Sequence, residues 1–228
     1  MDFIDDFKYK NNSYTNKIRD SEYIEHQKVK IHGCDDICEI IISNKEINYS
    51  LLNDNEKSKF IQNTKLLIAS STDSIDIKKK YNKKFTKSLI TSGLQEKNMF
   101  SSILFLNEHY ISNCIIYNKD TGKYYKTGLR NSEHIYCMYE NNSWFPMDEP
   151  HDITISESID DLSHIITMDI TTNMIYNLYL KSLTNYKLDD LQTISNELDI
   201  PILNGNGKKK TKQGLYNEIN LKKIMESI

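Results

Sequence analysis

Alanine occurs once in the 228 residues, at Ala69, and arginine twice, at Arg19 and Arg130. Isoleucine (32 residues), lysine (27) and asparagine (24) fill the composition instead. Ile, Lys and Asn have AT-rich codons, whereas Ala and most Arg codons are GC-rich. The bias therefore reports genome base composition, and the use of lysine over arginine carries little chemical meaning of its own. Seven glycines leave little material for phosphate-cradling loops, and none of the patterns GxGxxG, GxxxxGK(S/T) or GxSxG occurs. No apolar run approaches the ~20 residues that span a bilayer. The opening Met1-Asp2-Phe3-Ile4-Asp5-Asp6 is acidic, where a secretory leader is basic and then apolar. The expectation is a soluble intracellular protein with no membrane partner.

Cysteine is also scarce. Cys34, Cys38, Cys114 and Cys137 are too few and too irregular for a disulfide framework, so reduced thiols are expected. His32, Cys34 and Cys38 form a His-x-Cys-x3-Cys cluster. A structural zinc site needs four ligands with paired spacing, and no second CxxC or HxxxH is present. Cys114 and Cys137 complete the set only if folding brings them in. The reading is therefore no metal and no cofactor. His109, His134 and His164 have aromatic or apolar neighbours, and sequence alone pairs none of them with a nucleophile. Enzymatic function is not supported and no catalytic residue is assigned.

What is present suffices for a core: 38% hydrophobic residues, with 15 Tyr and 7 Phe. The length suits one domain plus an appendage, or two small domains. Residues 1–28 read as a loosely ordered lead-in. Ile37 to Ile42 is β-branched and predicts a strand. Helices are expected over about 51–69 and 83–94, with a polar connector over 70–80, and the apolar run from Met99 to Leu106 is expected to be buried. Cys114–Tyr117, Tyr124–Thr127, His134–Tyr139 and Ser143–Phe145, separated by Asn/Gly turns, predict an antiparallel meander. The stripe of Tyr117, Tyr124, Tyr125, Tyr136, Tyr139 and Trp144 has two readings, a base-stacking surface or cross-strand packing. Pro146, Pro150 and many acids mark a boundary near 155, and apolar spacing predicts a helix over about 170–184. The fold class is α+β: a mixed helical and antiparallel-sheet body over 29–155, then a helical region over 156–228.

The last forty residues are the most informative. Leu188, Leu191, Ile194 and Leu198 share a helical face, and Asp189 and Asp190 complement the helix dipole in the first turn. Ile200-Pro201 ends that helix, because a residue before proline is pushed out of the α region. Asn204-Gly205-Asn206-Gly207 reads as a flexible turn, and Thr211 as the N-cap of a second helix burying Leu215, Ile219 and Tyr216. Lys208, Lys209, Lys210 and Lys212 thus gather at a helix N-terminus, where free backbone N–H groups already favour phosphate. Residues 181–228 carry eight lysines against six acids, while the preceding 180 residues carry 21 basic and 26 acidic side chains. Any polyanion contact is therefore local.

This pattern resembles the SAP and Rho N-terminal-like family of helix–extended loop–helix modules, through Leu188, Leu191, Ile194, Leu198, Gly207-Lys208-Lys209 and Leu215 over 186–224. The longer Gly/Asn loop and acidic first helix depart from that family. The resemblance implies DNA or RNA as a partner, with Lys208, Lys209, Lys210, Thr211 and Lys212 as the contact residues. Together with the AT-biased body, the chain also resembles proteins of the nucleocytoplasmic large DNA viruses, the giant-virus group. That implies a virion or a viral factory in the host cytoplasm, and a viral or host protein as a possible second partner. The expected function is a non-enzymatic viral nucleic-acid-associated protein. The alternative is a structural or adaptor protein whose tail docks on another protein.

Overall fold

In a computed structural model of the chain, residues 33–72, 81–130, 132–151, 153–155 and 158–228 are described. The lead-in expected over 1–28 and most of the 70–80 connector lie outside these residues. The elements run α1 (Ile37–Lys45), α2 (Asp54–Ser71), α3 (Lys87–Gln95), α4 (Phe100–His109), β1 (Ser112–Asn118), β2 (Lys123–Lys126), β3 (Glu133–Glu140), β4 (Ser143–Pro146), α5 (Leu188–Glu197) and α6 (Lys212–Ser227). The class is α+β, as expected, but three local expectations are corrected.

The segment from Ile37 to Ile42 is a helix, not a strand. Asp36 caps it, its carboxylate accepting the Cys38 N–H at 3.2 Å. Ile37, Cys38, Ile40, Ile41 and Ile42 are all buried, so an almost uniformly apolar run serves a helix covered on most sides. Periodicity cannot separate that case from a buried strand. The next helix, α2, starts with a full capping box. Asn53 accepts from Asn55 and Glu56 N–H, and Glu56 returns a bond to Asn53 N–H.

The sheet is mixed, not a meander. Its order is β2-β1-β3-β4, with β1 antiparallel to β2 and β3 antiparallel to β4, but β1 and β3 parallel. The β2–β3 connection therefore passes the start of β1. Side chains fasten it there. Asn113 donates to the carbonyls of Gly128 and Arg130 (3.1 and 2.9 Å) and accepts the Gly128 N–H (2.9 Å). Asn107 accepts the Cys114 N–H at 3.0 Å and donates to the Thr127 hydroxyl at 2.8 Å. These amides meet the backbone groups that a crossing loop would otherwise leave unpaired in the interior.

One sheet face, with Cys114, Ile116, Tyr125, Ile135, Cys137 and Trp144, joins the main core with α1 and α4. Tyr125 and Trp144 are 2% and 1% exposed, so these two rings are packing rather than a base-stacking surface. Tyr117 and Tyr124, half-buried on the other face, stack on each other at 4.6 Å.

The helix expected over 170–184 is absent. Short 3-10 turns at Thr172–Met174 and Leu183–Asn185 flank an irregular segment, in which Tyr176 bridges Tyr81 and the Ile175 carbonyl accepts the Asn82 N–H. This path buries Ile175, Tyr176 and Leu180 and leaves Leu178 and Tyr179 exposed. Contact with the body, not helical spacing, decides which of these residues are inside.

Candidate nucleic-acid interface

The C-terminal module is built from α5, a hydrogen-bonded hairpin loop and α6. Leu191 is fully buried in a cluster with Leu180, Ile200, Leu215, Tyr216 and Ile219, and Ile194 and Leu198 pack on its edge. Leu188 is 37% exposed and contributes less. The α5 N-terminus is closed by Asp190, whose carboxylate accepts the Lys187 N–H at 2.6 Å. Its C-terminus closes before the proline has any effect. Asp199 adopts the left-handed region (φ 52°), and the Ile200 N–H reaches back to the Ser195 carbonyl at 2.8 Å.

The Asn/Gly loop is ordered by hydrogen bonds where a flexible turn was expected. Lys210 N–H donates to Ile202 O (2.9 Å), Asn204 N–H to Lys208 O (2.8 Å), and Gly207 N–H to Asn204 O (2.9 Å). The Asn204 side chain accepts from Asn206 and Lys208 N–H at 3.1 and 3.0 Å. Gly207, at φ 72°, supplies the left-handed turn that a side chain would resist. Thr211 then caps α6, its hydroxyl accepting the Gly214 N–H at 3.1 Å.

The four lysines are not equivalent. Lys208 and Lys209 are exposed and Lys212 is half-buried, and none has a carboxylate partner among the described residues. Lys210 is committed: its ammonium meets Glu218 of α6 at 2.5 Å, with a side chain only 16% exposed. Three open ammonium groups and one neutralised group therefore flank the α6 N-terminus. Two acids of α5 lie near its own start, where Asp190 serves as a cap.

The module is fastened to the body. Leu180 N–H donates to the Asn220 side chain (2.9 Å), the Tyr216 hydroxyl to the Lys181 carbonyl (2.9 Å), and Ile224 of α6 belongs to the main core. Arg130 donates to the main-chain oxygen of Ile228 at 2.7 Å. The rest of its guanidinium is bidentate on Glu108, at 2.8 and 2.9 Å, with the Glu108 side chain buried and that of Arg130 12% exposed. Glu108 also accepts from the hydroxyls of Tyr176 (2.6 Å) and Tyr81 (3.3 Å). Burial, reinforced by the Glu108 charge, holds both phenols protonated well above their usual range. Sequence reasoning missed this knot. Its one signal was an arginine retained in a chain that otherwise uses lysine.

The cysteines converge in the core, with the Cys114 and Cys137 sulfurs 3.4 Å apart, and all four are free thiols. Burial pushes the Cys34 thiol up to about 12, and holds Cys38 and Cys137 well above their ordinary value. Among the described residues no group of three His, Cys, Asp or Glu side chains is placed to hold a metal ion. His32 lies outside the described residues. No described helix is long and apolar enough to cross a membrane. No protein family, curated protein or solved structure matches the chain.

Proposed function

We propose that the C-terminal helix–loop–helix grips the phosphate backbone of a nucleic acid, without enzymatic turnover. The observation that carries this reading is the set of unneutralised ammonium groups of Lys208, Lys209 and Lys212, held on an ordered loop at the N-terminus of a 16-residue helix. Lys210, spent on Glu218, shapes the loop more than it binds, and the Thr211 hydroxyl remains able to donate to a phosphate oxygen. Point-charge contacts of this kind position a backbone and carry little base specificity. The viral setting implied by the resemblance to giant-virus proteins belongs to the same proposal.

Salt dependence tests it. Neutralising three phosphates gives a log–log slope of about −2.1 to −2.7, so affinity falls roughly 20- to 40-fold between about 50 and 200 mM salt. The expected result is this slope in a fluorescence-anisotropy titration of the full chain, with loss of most binding in the triple change Lys208→Glu, Lys209→Glu, Lys212→Glu. Unchanged affinity in that variant, with the fold intact, would sink the proposal.

A second reading has its own observation. Leu178, Tyr179, Leu203 and Met225 are 46–60% exposed around the same module, an apolar presence suited to a protein partner. Pull-down of a protein partner by the lysine-to-glutamate variant as well as by the parent chain favours that adaptor role.

A further inference from the structure

Beside the last turns of α6 a cleft of about 410 Å³ opens between that helix and the segment 177–179. Tyr179 lines it and is 60% exposed. The Lys223 ammonium lies over the tyrosine ring, 5.5 Å from its centroid. That ammonium also meets Glu226, one turn further along α6, at 2.8 Å. Lys223 and Glu226 are the charged residues of the lining, and they cancel. A cation holds one face of a ring, and the exposure of Tyr179 leaves the remainder to solvent. Such a cleft suits a flat, uncharged aromatic group better than a phosphate.

The cleft lies on a path that leads back to the lysine loop. Segment 179–181 runs along α6 in the opposite chain direction. Lys223 sits over Tyr179, the Asn220 side chain accepts the Leu180 N–H at 2.9 Å, and the Tyr216 hydroxyl donates to the Lys181 carbonyl at 2.9 Å. Each step along the segment is thus a step back along the helix toward Lys212. Lys181 is exposed and has no carboxylate partner among the described residues. From Lys212 to Lys223 the helix rises about 16 Å, at ~1.5 Å per residue. Open ammonium groups therefore lie at one end of the path, another beside its middle, and an exposed ring at the far end. A phosphate backbone held by the loop and laid along α6 brings its bases to Tyr179. In a duplex the faces of the bases are covered by the stack, whereas a single strand offers them to an aromatic side chain.

We propose that Tyr179 is a stacking platform for a base of single-stranded nucleic acid, whose phosphates are held by Lys181 and the loop lysines. This rests on the nucleic-acid reading of the loop and narrows it to single strands. The ring supplies what the loop lacks, since point charges alone grip single strand and duplex alike.

Fluorescence anisotropy of the full chain tests it with four labelled ligands of about 12 nucleotides. They are single-stranded DNA, single-stranded RNA of the same sequence, the DNA duplex, and a strand of abasic sites. The base-bearing single strands should bind more tightly than the abasic strand, and more tightly than the duplex despite its higher charge density. The tighter of the two identifies the sugar. Tyr179→Ala should weaken single-strand binding about 5- to 100-fold and leave the duplex and the abasic strand as they were, while Tyr179→Phe keeps the parent affinity. Lys181→Gln should reduce the single-strand salt slope by about 0.7. Undiminished single-strand affinity in Tyr179→Ala, or a duplex or abasic strand bound as tightly as the base-bearing strands, overturns the inference. Where salt-dependent binding persists in that case, the lysine loop survives and Tyr179 falls to the adaptor role. Absence of binding to all four ligands overturns both.

Discussion

The body and the C-terminal loop treat charge in opposite ways. In the body, Glu108 is buried and Arg130 mostly so, and each finds its partners within the chain, two tyrosine hydroxyls and a main-chain oxygen included. At the loop, Lys208 and Lys209 stand in solvent and have no carboxylate partner among the described residues. A cation whose bonding capacity is met internally holds the fold. A cation left open on an ordered scaffold is available to a polyanion. Lys210 lies between these cases, close to the open lysines in sequence yet closed by Glu218.

The contrast is most severely tested at Arg130. Arg130→Ala leaves a buried carboxylate without its counter-charge and releases the Ile228 oxygen. The expected loss is about 3–5 kcal/mol in urea unfolding. A loss below about 1 kcal/mol would mean that the knot is no more than a surface pair. Alkaline titration tests the same interior from another side. The thiols of Cys38 and Cys137 stay protonated in the folded chain well above their ordinary value of 9.0, which the unfolded chain keeps. Above that pH the native state binds more protons than the unfolded one, so stability falls as pH rises, by up to about 2–3 kcal/mol per pH unit for the two. Their contribution is complete below pH 9, and a flat stability profile from 8.5 to 10.5 would contradict it.

Smaller effects are expected in the tail. Thr211→Ala removes the α6 cap and should cost about 1 kcal/mol in thermal unfolding. It should also weaken nucleic-acid binding only a few-fold, since the three open lysines remain. Smallest in stability is Glu218→Gln, where a partly exposed pair is worth under about 1 kcal/mol. Its value is in binding: freeing Lys210 should tighten nucleic-acid affinity and steepen the salt slope by about 1. If Glu218→Gln instead weakens binding, the ion pair is needed to shape the loop.

Legibility in the sequence followed the range of the interactions. The four strands were placed because β-branched and aromatic runs broken by Asn/Gly turns are local signals. Their order was not, since the parallel pairing of β1 with β3 depends on Asn113 fastening a loop 15 residues away. Segment 37–42 was misread because its burial on most sides erased the helical pattern. Residues 170–184 were misread because Tyr176 pairs with distant Tyr81. In the tail, the Thr211 cap and the Leu215, Ile219 face are local and were visible. The neutralisation of Lys210 was not, because the lysine precedes the cap and meets Glu218 outside any helical spacing rule. The hydrogen bond from the Tyr136 hydroxyl to Glu149 was missed for a similar reason: Glu149 arrives from a separate segment.

Arg130 has one further consequence. It joins Ile228, the residue that follows α6, to the interior of the body, while the first residues of that helix adjoin the lysine loop. Tension applied by a captured strand would travel down a single rigid rod to the Glu108 knot. The loop behaves as a moored hook, not a trailing one, and force on it is felt at α4, which carries Glu108.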